Sequence, residues 1–351
     1  MTHSKAKVFV ALSGGVDSST ATALLLEAGY DCSAVFMITN NQAQAAQADA
    51  EKIAAKLGIK LYVMDLRSDF EQVLDYFCGE YAQGRTPNPC VFCNRHMKFG
   101  KVLDFARANG AEYFATGHYA QVLDTGAGFG LYAATNSSKD QSYALAMIRK
   151  EVLGRLILPM GRYTKDQTRK MAAKFGLGTE KKAESQEICF IPDDDYIAVL
   201  EDRHPELVRE GNIVDGSGEN LGTHRGSHRF TIGQRRGLRI AMGKPYYVTK
   251  INAETNTVTL GPKKEVMHNK LTANRVNWLV AQEAPAFRAS VMIRYNSAGV
   301  PATVSCGQDT ASVEFDDSVS AITPGQLAAF YVDDELGRRL VGGGWIERAF
   351  D

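Results

Sequence analysis

The sequence predicts an α/β protein in which a doubly wound parallel sheet is followed by two small β-rich modules. Three observations predict it. Short apolar runs alternate with helical periods up to about residue 116, the pattern of repeated βα units. Ser13-Gly14-Gly15 makes a tight turn between the first apolar run and the first helical one. After about residue 205 the chain changes to short alternating stretches separated by Gly, Asn and Asp.

Each element follows from local pattern. Residues 7–12 (KVFVAL) form an apolar run ending at Gly-Gly, which suits a buried parallel strand. Residues 17–28 (DSSTATALLLEA) open on Asp and Ser and stop at Gly29, as a helix does. AVFMI (34–38) is strand-like, and 42–57 is an Ala-rich helix stopped by Gly58. LYVMDL (61–66) is a strand and 69–82 a helix. Gly and Pro mark 84–93 (GRTPNPCVFC) as a loop. Residues 94–108 resume a helical period, with Asn94 as its N-cap. YFAT (113–116) is a strand ending at Gly117-His118. Thr164 and Gln167 have capping-box spacing, and Gly176 stops the helix they open. Further on, PYYVTKINAETNTVTLG and SVEFDDSVSAITPGQLAAFYV read as strands of small barrels or sandwiches. The expected units are 1–204, 205–270 and 271–351.

A chain of 351 residues that is 44% hydrophobic can bury a sizeable core in each unit. Six unevenly spaced cysteines in so long a chain do not make a secreted disulfide scaffold. The N-terminus has too short an apolar run for a signal peptide, and no window has membrane-spanning length. The expectation is a soluble, cytoplasmic protein with no membrane partner. Net charge is zero, yet residues 225–250 hold seven Lys/Arg and no acid, and 139–182 hold eleven against four acids. Basic tracts interleaved with Gly, Tyr and Phe suit an RNA surface; the plainer reading is a solvated face with Lys/Arg stems packed flat.

The sharpest local signal is Ser13-Gly14-Gly15-Val16-Asp17-Ser18-Ser19 between strand and helix. Adjacent glycines let backbone N–H groups approach an anion, and the helix N-terminus adds its dipole. Ser13 and Ser18 add hydroxyls, and Asp17 makes most sense beside a bridging Mg²⁺. The Walker spacing is absent. The loop resembles that of the N-type ATP pyrophosphatase superfamily, whose members split ATP while adenylating a substrate oxygen.

Cys90 and Cys93 lie where a Pro-rich loop meets a helix, with Arg95 and Lys98 nearby to stabilise a thiolate. That placement predicts a low-pKa nucleophile at Cys93. Cys189 lies far away in AESQEICFIPDDDY. Cys32, Cys78 and Cys306 read as small buried hydrophobes. TPNPCVFCNRHMKFG, ATGHYA, SKDQSYAL, SQEICFI, TIGQRRGL, TPGQLAAFY and GGGWI follow one another in that order. Together they resemble the bacterial tRNA-specific 2-thiouridylases, the MnmA family, over nearly the whole chain.

The resemblance implies an adenine nucleotide alpha hydrolase-like first domain. It implies an enzyme that adenylates uridine O2 with ATP and Mg²⁺ and puts sulfur in its place, at wobble position 34 of the Lys, Glu and Gln tRNAs. Cys189 would carry a persulfide received from a sulfur-relay protein or cysteine desulfurase. Cys93 would resolve it through a disulfide with Cys189, or liberate hydrosulfide, and a reductant would reset the pair. ATP contacts would fall on Ala11, Leu12, Ser13, Gly14, Gly15, Val16, Asp17, Ser18, Met37 and Gly117. Asn88, Pro89 and Cys90 match the target-base segment. His118, Lys139, Asp140, Gln141, Arg294, Tyr295 and Gln326 match tRNA contacts. The family has either Asp or Cys at the position of Cys90. An alternative makes Cys90, Cys93 and Cys189 ligands of a [4Fe–4S] cluster; otherwise no resident metal is expected. The chain departs from the family after the second strand, where only ITNNQAQAAQ precedes the helix.

Two rivals remain at this level. A small-molecule ATP-dependent ligase or amidotransferase of the same superfamily needs an ammonia source and no thiol pair. A non-catalytic RNA-binding protein leaves the phosphate loop and Cys189 without a task.

Overall fold

The computed structural model describes residues 5–182, 188–191, 195–238, 240 and 243–351. The chain runs β1 (Lys7–Ala11), α1 (Val16–Glu27), β2 (Asp31–Ile38), α2 (Gln44–Leu57), β3 (Lys60–Asp65) and α3 (Arg67–Ala82). It continues with α4 (Pro89–Cys93), a π-helical stretch (Asn94–Val102), α5 (Leu103–Ala108) and β4 (Tyr113–Ala115). Then come a hairpin of β5 (Ala120–Asp124) and β6 (Phe129–Ala133), β7 (Leu156–Ile157), α6 (Lys165–Lys174) and α7 (Tyr196–Arg203).

The first sheet is parallel throughout, in the order β3-β2-β1-β4-β7. β1 is central, and Val8, Phe9 and Val10 are fully buried, which is why its sequence is an unbroken apolar run. The strand order reverses between β1 and β4. Ligands of such sheets bind at that reversal, beyond the carboxyl ends of the strands. The Ser13 turn leaves β1 there and Gly117-His118 leaves β4 there.

β8 (Gly211–Asp215), β9 (Asn220–His224), β10 (Tyr247–Asn252) and β11 (Thr257–Gly261) form a four-stranded central sheet. The last six strands are β12 (Met267–Trp278), β13 (Ala286–Met292), β14 (Val300–Cys306), β15 (Thr310–Ser320), β16 (Leu327–Asp334) and β17 (Gly337–Phe350). They close into a barrel through the β12–β17 pairing. The β5–β6 hairpin, which belongs by sequence to the first domain, extends this sheet by pairing Leu131 and Tyr132 with Leu340 and Arg339 of β17. One apolar core therefore spans both units, from Phe9 and Val91 through Tyr143 to Leu327, Tyr331 and Trp345.

Two local expectations are corrected. The second half of the 84–93 loop is helical from Pro89, and the helix that follows is π-helical before it becomes α5. The capping box at Thr164 is present, with both reciprocal bonds formed. Among the described residues no helix is long and apolar enough to cross a membrane.

Candidate active site

The phosphate loop is built from β1 outward. Leu12 continues the β1 pairing by donating its N–H to the Val35 carbonyl at 2.9 Å. Gly14 then turns at φ +76°, a region that favours glycine. Gly15 precedes α1, and no side chain caps that helix start, so its first N–H groups keep their capacity for an anion. Ser13 is exposed. Ser18 is buried: its hydroxyl accepts from the Ser13 N–H at 3.1 Å and lies 3.3 Å from the Gly15 carbonyl. Ser18 thus shapes the loop, and its hydroxyl lies 3.1 Å from that of Ser13. Val16 and Leu12 are buried supports, and Ala11 and Met37 are half-buried beside the main core.

Asp17 is engaged. Lys165, at the first turn of α6, donates to both its carboxylate oxygens at 2.8 and 2.9 Å, and the Tyr119 hydroxyl donates at 2.8 Å. Lys182 donates to the Gly14 carbonyl at 2.7 Å and pairs with Asp49. Two ammonium groups therefore attend the loop although it lacks a Walker lysine. Sequence reading missed both; the capping box that places Lys165 at a helix start was the available signal. Gly117 sits where a Cβ would lie 2.7 Å from the Ser18 nitrogen and 2.8 Å from the Asp17 carbonyl carbon. The start of α1 packs directly on the end of β4 at this glycine.

The thiols come from two distant segments. Asn88 caps α4, its side-chain oxygen accepting from the Val91 N–H at 3.3 Å, and Pro89 fills the first turn. Asn94 is not the cap; it is buried and donates to the Ala144 carbonyl at 2.9 Å. Cys90 is exposed and Cys93 half-buried. Cys189 is exposed in a turn closed by the Ile191 N–H on the Ile188 carbonyl at 2.9 Å. Neighbouring Phe190 wedges edge-on between Phe70 and Phe77 of α3, at 5.6 and 5.2 Å between ring centroids. Residues 185–187 of the SQEICFI segment lie outside the described residues.

The expected low pKa at Cys93 is reversed. Burial pushes its thiol up to about 12, the charges of Cys189 and Cys90 push the same way, and Lys98 opposes them. Cys93 lies in the first turns of a continuous helical run from Pro89 to Ala108, where the dipole favours a thiolate, and burial outweighs that help. Arg95 is turned away, donating to the Met147 carbonyl at 2.7 Å. Burial also raises Cys90 and Cys189 above the usual thiol range, with Lys98 again opposing. Cys90 and Cys189 expose part of their surface and are still crowded by protein. Lys98 and the three thiols feel one another there. Among the described residues, however, no group of three or more His, Cys, Asp or Glu side chains is arranged to hold a metal ion. The expected core cysteines behave as such: Cys32 and Cys78 are buried, and burial lifts the Cys32 thiol to about 11. Cys306 is half-buried beside the Gln282 side chain.

The matched tRNA positions divide into two sets. Tyr295 of the barrel keeps an exposed edge; partial burial and the nearby Asp140 and Cys90 push its hydroxyl pKa up, and Gln141 opposes them. Gln141 accepts from the Tyr119 N–H at 3.0 Å, and Asp140 accepts from the N–H groups of Ala134 and Ser142 at 2.9 and 3.1 Å. Lys139 is half-buried and Arg294 exposed on the same side chains' flanking segments. His118 instead turns onto Thr116, with Nδ1 2.6 Å from its hydroxyl, and burial holds it neutral. Gln326 is likewise occupied, donating to the carbonyls of Thr86 and Pro87 at 3.1 and 3.0 Å. Of the central basic tract, Arg225, Arg235, Arg236, Lys244 and Lys250 are exposed, while Arg229 pairs with Glu201; residues 239, 241 and 242 lie outside the described residues.

Three family profiles match the chain in order. They are a tRNA methyl transferase HUP domain over 6–193, a tRNA methyl transferase PRC-barrel domain over 198–262 and an aminomethyltransferase beta-barrel domain over 268–346. The tRNA-specific 2-thiouridylase MnmA of Carboxydothermus hydrogenoformans is 46% identical over 360 residues, covering 97% of this chain and 98% of that protein. Its counterpart in Syntrophotalea carbinolica is 44% identical over 348 residues, again covering 97% and 98%. Among solved structures, a 4-thiouridine synthetase–RNA complex with bound ATP matches 57% of this chain and 51% of that chain, at 18% identity and a TM-score of 0.38.

Proposed function

The chain belongs to the tRNA-specific 2-thiouridylase family, and we propose that it adenylates the O2 of a tRNA uridine with ATP and replaces that oxygen with sulfur carried on Cys189. The observation that carries the reading is that two distant thiol segments, 90–93 and 188–191, pack on the same helix and core: Phe92 on Tyr76 and Phe190 on Phe70 and Phe77 of α3, with Cys93 and Phe190 against one apolar cluster. A small-molecule ligase has no use for such a pair.

The steps balance as follows. Uridine O2 attacks the α-phosphorus of ATP and pyrophosphate leaves. The outer sulfur of the Cys189 persulfide adds at C2, and AMP departs with the original oxygen. Cys93 thiolate then attacks the Cys189 sulfur. The old S–S bond breaks toward the uridine, leaving 2-thiouridine and a Cys93–Cys189 disulfide. A dithiol reductant from outside returns both thiols. The Cα atoms must come within roughly 7 Å for that bond.

The loop at Ser13–Ser18 receives the ATP phosphates. Mg²⁺ arriving with the nucleotide suits Asp17 once Lys165 moves from the carboxylate to a phosphate. When bound, it neutralises phosphate charge. The [4Fe–4S] alternative needs three converging thiolates, an arrangement absent among the described residues, and no step is drawn through it. Tyr295, Gln141 and Cys90 form the receiving face for the base. The expected substrates are position 34 of the Lys, Glu and Gln tRNAs, with a relay protein or cysteine desulfurase as donor, in the cytoplasm. Units 1–204, 205–270 and 271–351 supply the nucleotide site, an RNA-facing connector and the barrel.

The test is anaerobic thiolation of unmodified tRNA with Mg-ATP and a persulfide donor, read as 2-thiouridine by mass spectrometry. Cluster-free wild type should make product, and Cys93→Ser and Cys189→Ser should not. Product formed only after iron–sulfur reconstitution would replace the relay with metal ligation. ATP cleavage that ignores tRNA, with no product, would sink the reading.

A further inference from the structure

We propose that Gln326 is a positioning residue for the thiol loop, holding the segment that carries Cys90 and Cys93 against the C-terminal barrel. This rests on the thiolation reading for its consequence in catalysis, though not for its geometry.

A glutamine amide nitrogen has two hydrogens. Gln326 directs them to the carbonyls of Thr86 and Pro87 at 3.1 and 3.0 Å. The opposing bond is also made: the Thr86 N–H donates to the Pro324 carbonyl at 2.9 Å. The turn that presents Gln326 is itself fixed to β17. Its Gly325 N–H donates to the Ile346 carbonyl at 2.9 Å, and the Ile346 N–H donates to the Gln326 carbonyl at 2.8 Å. Gly325 stands at φ +90°, and a Cβ there would lie 2.8 to 3.0 Å from backbone atoms of Thr86. The turn and the loop are therefore in direct backbone contact.

The loop needs an external hold at this point. Pro87 and Pro89 have no N–H to donate, so at those two residues only the carbonyls can take a backbone hydrogen bond, and between them the Asn88 N–H reaches the Tyr76 hydroxyl at 3.4 Å. Asn88 comes next and caps α4 through Val91, and Cys90 and Cys93 follow within that helix. The start of α4, which carries both thiols, thus hangs from the clamp, while Phe92 on Tyr76 at 4.4 Å and Asn94 on the Ala144 carbonyl hold the helix further on. An RNA contact through the same nitrogen would require the clamp to open.

The test compares Gln326→Met and Gln326→Glu, both of similar length and both lacking the amide donors, with wild type. Without tRNA, hydrogen exchange across residues 85–93 should quicken about tenfold, the scale of one to two lost net hydrogen bonds, while exchange in β1 and β4 stays unchanged. In thiolation, kcat should fall about tenfold or more with KM for tRNA changed less than about twofold. A raised KM with unchanged kcat and unchanged exchange in both variants would overturn the assignment and leave Gln326 an RNA contact. If wild type makes no 2-thiouridine, the thiolation reading fails, and the exchange measurement still decides whether the clamp exists.

Discussion

The Cys93 thiol rests protonated, and the size of its shift fixes a rate. Its pKa is pushed from an ordinary 9.0 up to about 12 by burial first and by neighbouring thiols second. At pH 8 a thiol of pKa 9 is about one-tenth thiolate, whereas one of pKa 12 is about one part in ten thousand. Only the thiolate is alkylated at a useful rate. Iodoacetamide labelling of RNA-free protein, followed site by site by mass spectrometry, should find Cys93 roughly a thousandfold slower than the same peptide unfolded. The rate should climb tenfold per pH unit from 7 to about 10 without levelling. The same shift has a stability consequence of definite sign. Between about pH 9 and 12 the unfolded chain releases this proton and the folded one keeps it, so stability falls as pH rises through that window. A labelling plateau below pH 9 would refute the burial argument and restore the activated nucleophile that helix position alone suggested. If the slope is found, activation belongs to the complex with tRNA, where the environment of the loop changes.

Three further outcomes follow from the same geometry. Lys98→Met removes the cation that opposes the shift at all three thiols, so labelling of Cys90, Cys93 and Cys189 should slow about tenfold at pH 9 with Cys306 unaffected; equal rates would remove Lys98 from the site. Gly117→Ala drives a Cβ into the backbone of Asp17 and Ser18, where nothing flexible yields, and should cost about 1–3 kcal/mol by thermal unfolding and weaken ATP binding by calorimetry; an unchanged Kd would show that the loop relaxes freely. Cys189→Ser should keep tRNA-stimulated ATP–pyrophosphate exchange while making no 2-thiouridine; loss of the exchange would place Cys189 in adenylation instead.

Much of the nucleotide half was legible because its signals are local. β1 is an apolar run because both its faces are covered, and the Gly14 turn and the Thr164 capping box each lie within a few residues. The β5–β6 hairpin was not seen, since its Gly126 and Gly128 read as loop and its partner strand β17 begins some two hundred residues later. The start of α4 was hidden by its prolines, although Asn88 followed by Pro89 is a cap and first turn in the right order. The resting pKa of Cys93 was misjudged for a different reason. Dipole and neighbouring charge can be guessed from sequence, but burial depends on what packs over the loop, and burial is the largest cause at Cys93. Lys165 and Gln326 show the same limit: a side chain's partner 148 or 240 positions away is invisible until the chain folds.

The three units make sense together only at the thiol loop. Thr86 is held by the barrel through Pro324 and Gln326, and its hydroxyl lies 3.3 Å from that of Thr231 in the central unit. The Cys189 turn is pinned to α3 by Phe190, and α7 beyond it is pinned to the central unit where Glu201 meets His228 at 3.0 Å and Arg229. α7 also stacks Tyr196 on Tyr81 of α3, at 4.9 Å between centroids. Both thiol segments also rest on α3, Phe190 against Phe70 and Phe77 and Phe92 stacked on Tyr76 at 4.4 Å between centroids. An RNA bound as proposed, across Tyr295 and Cys90, would bear on the barrel and on the thiol loop together. On that proposal the resting thiol can stay buried and protonated, because the RNA that needs it deprotonated would also bear on the elements that bury it.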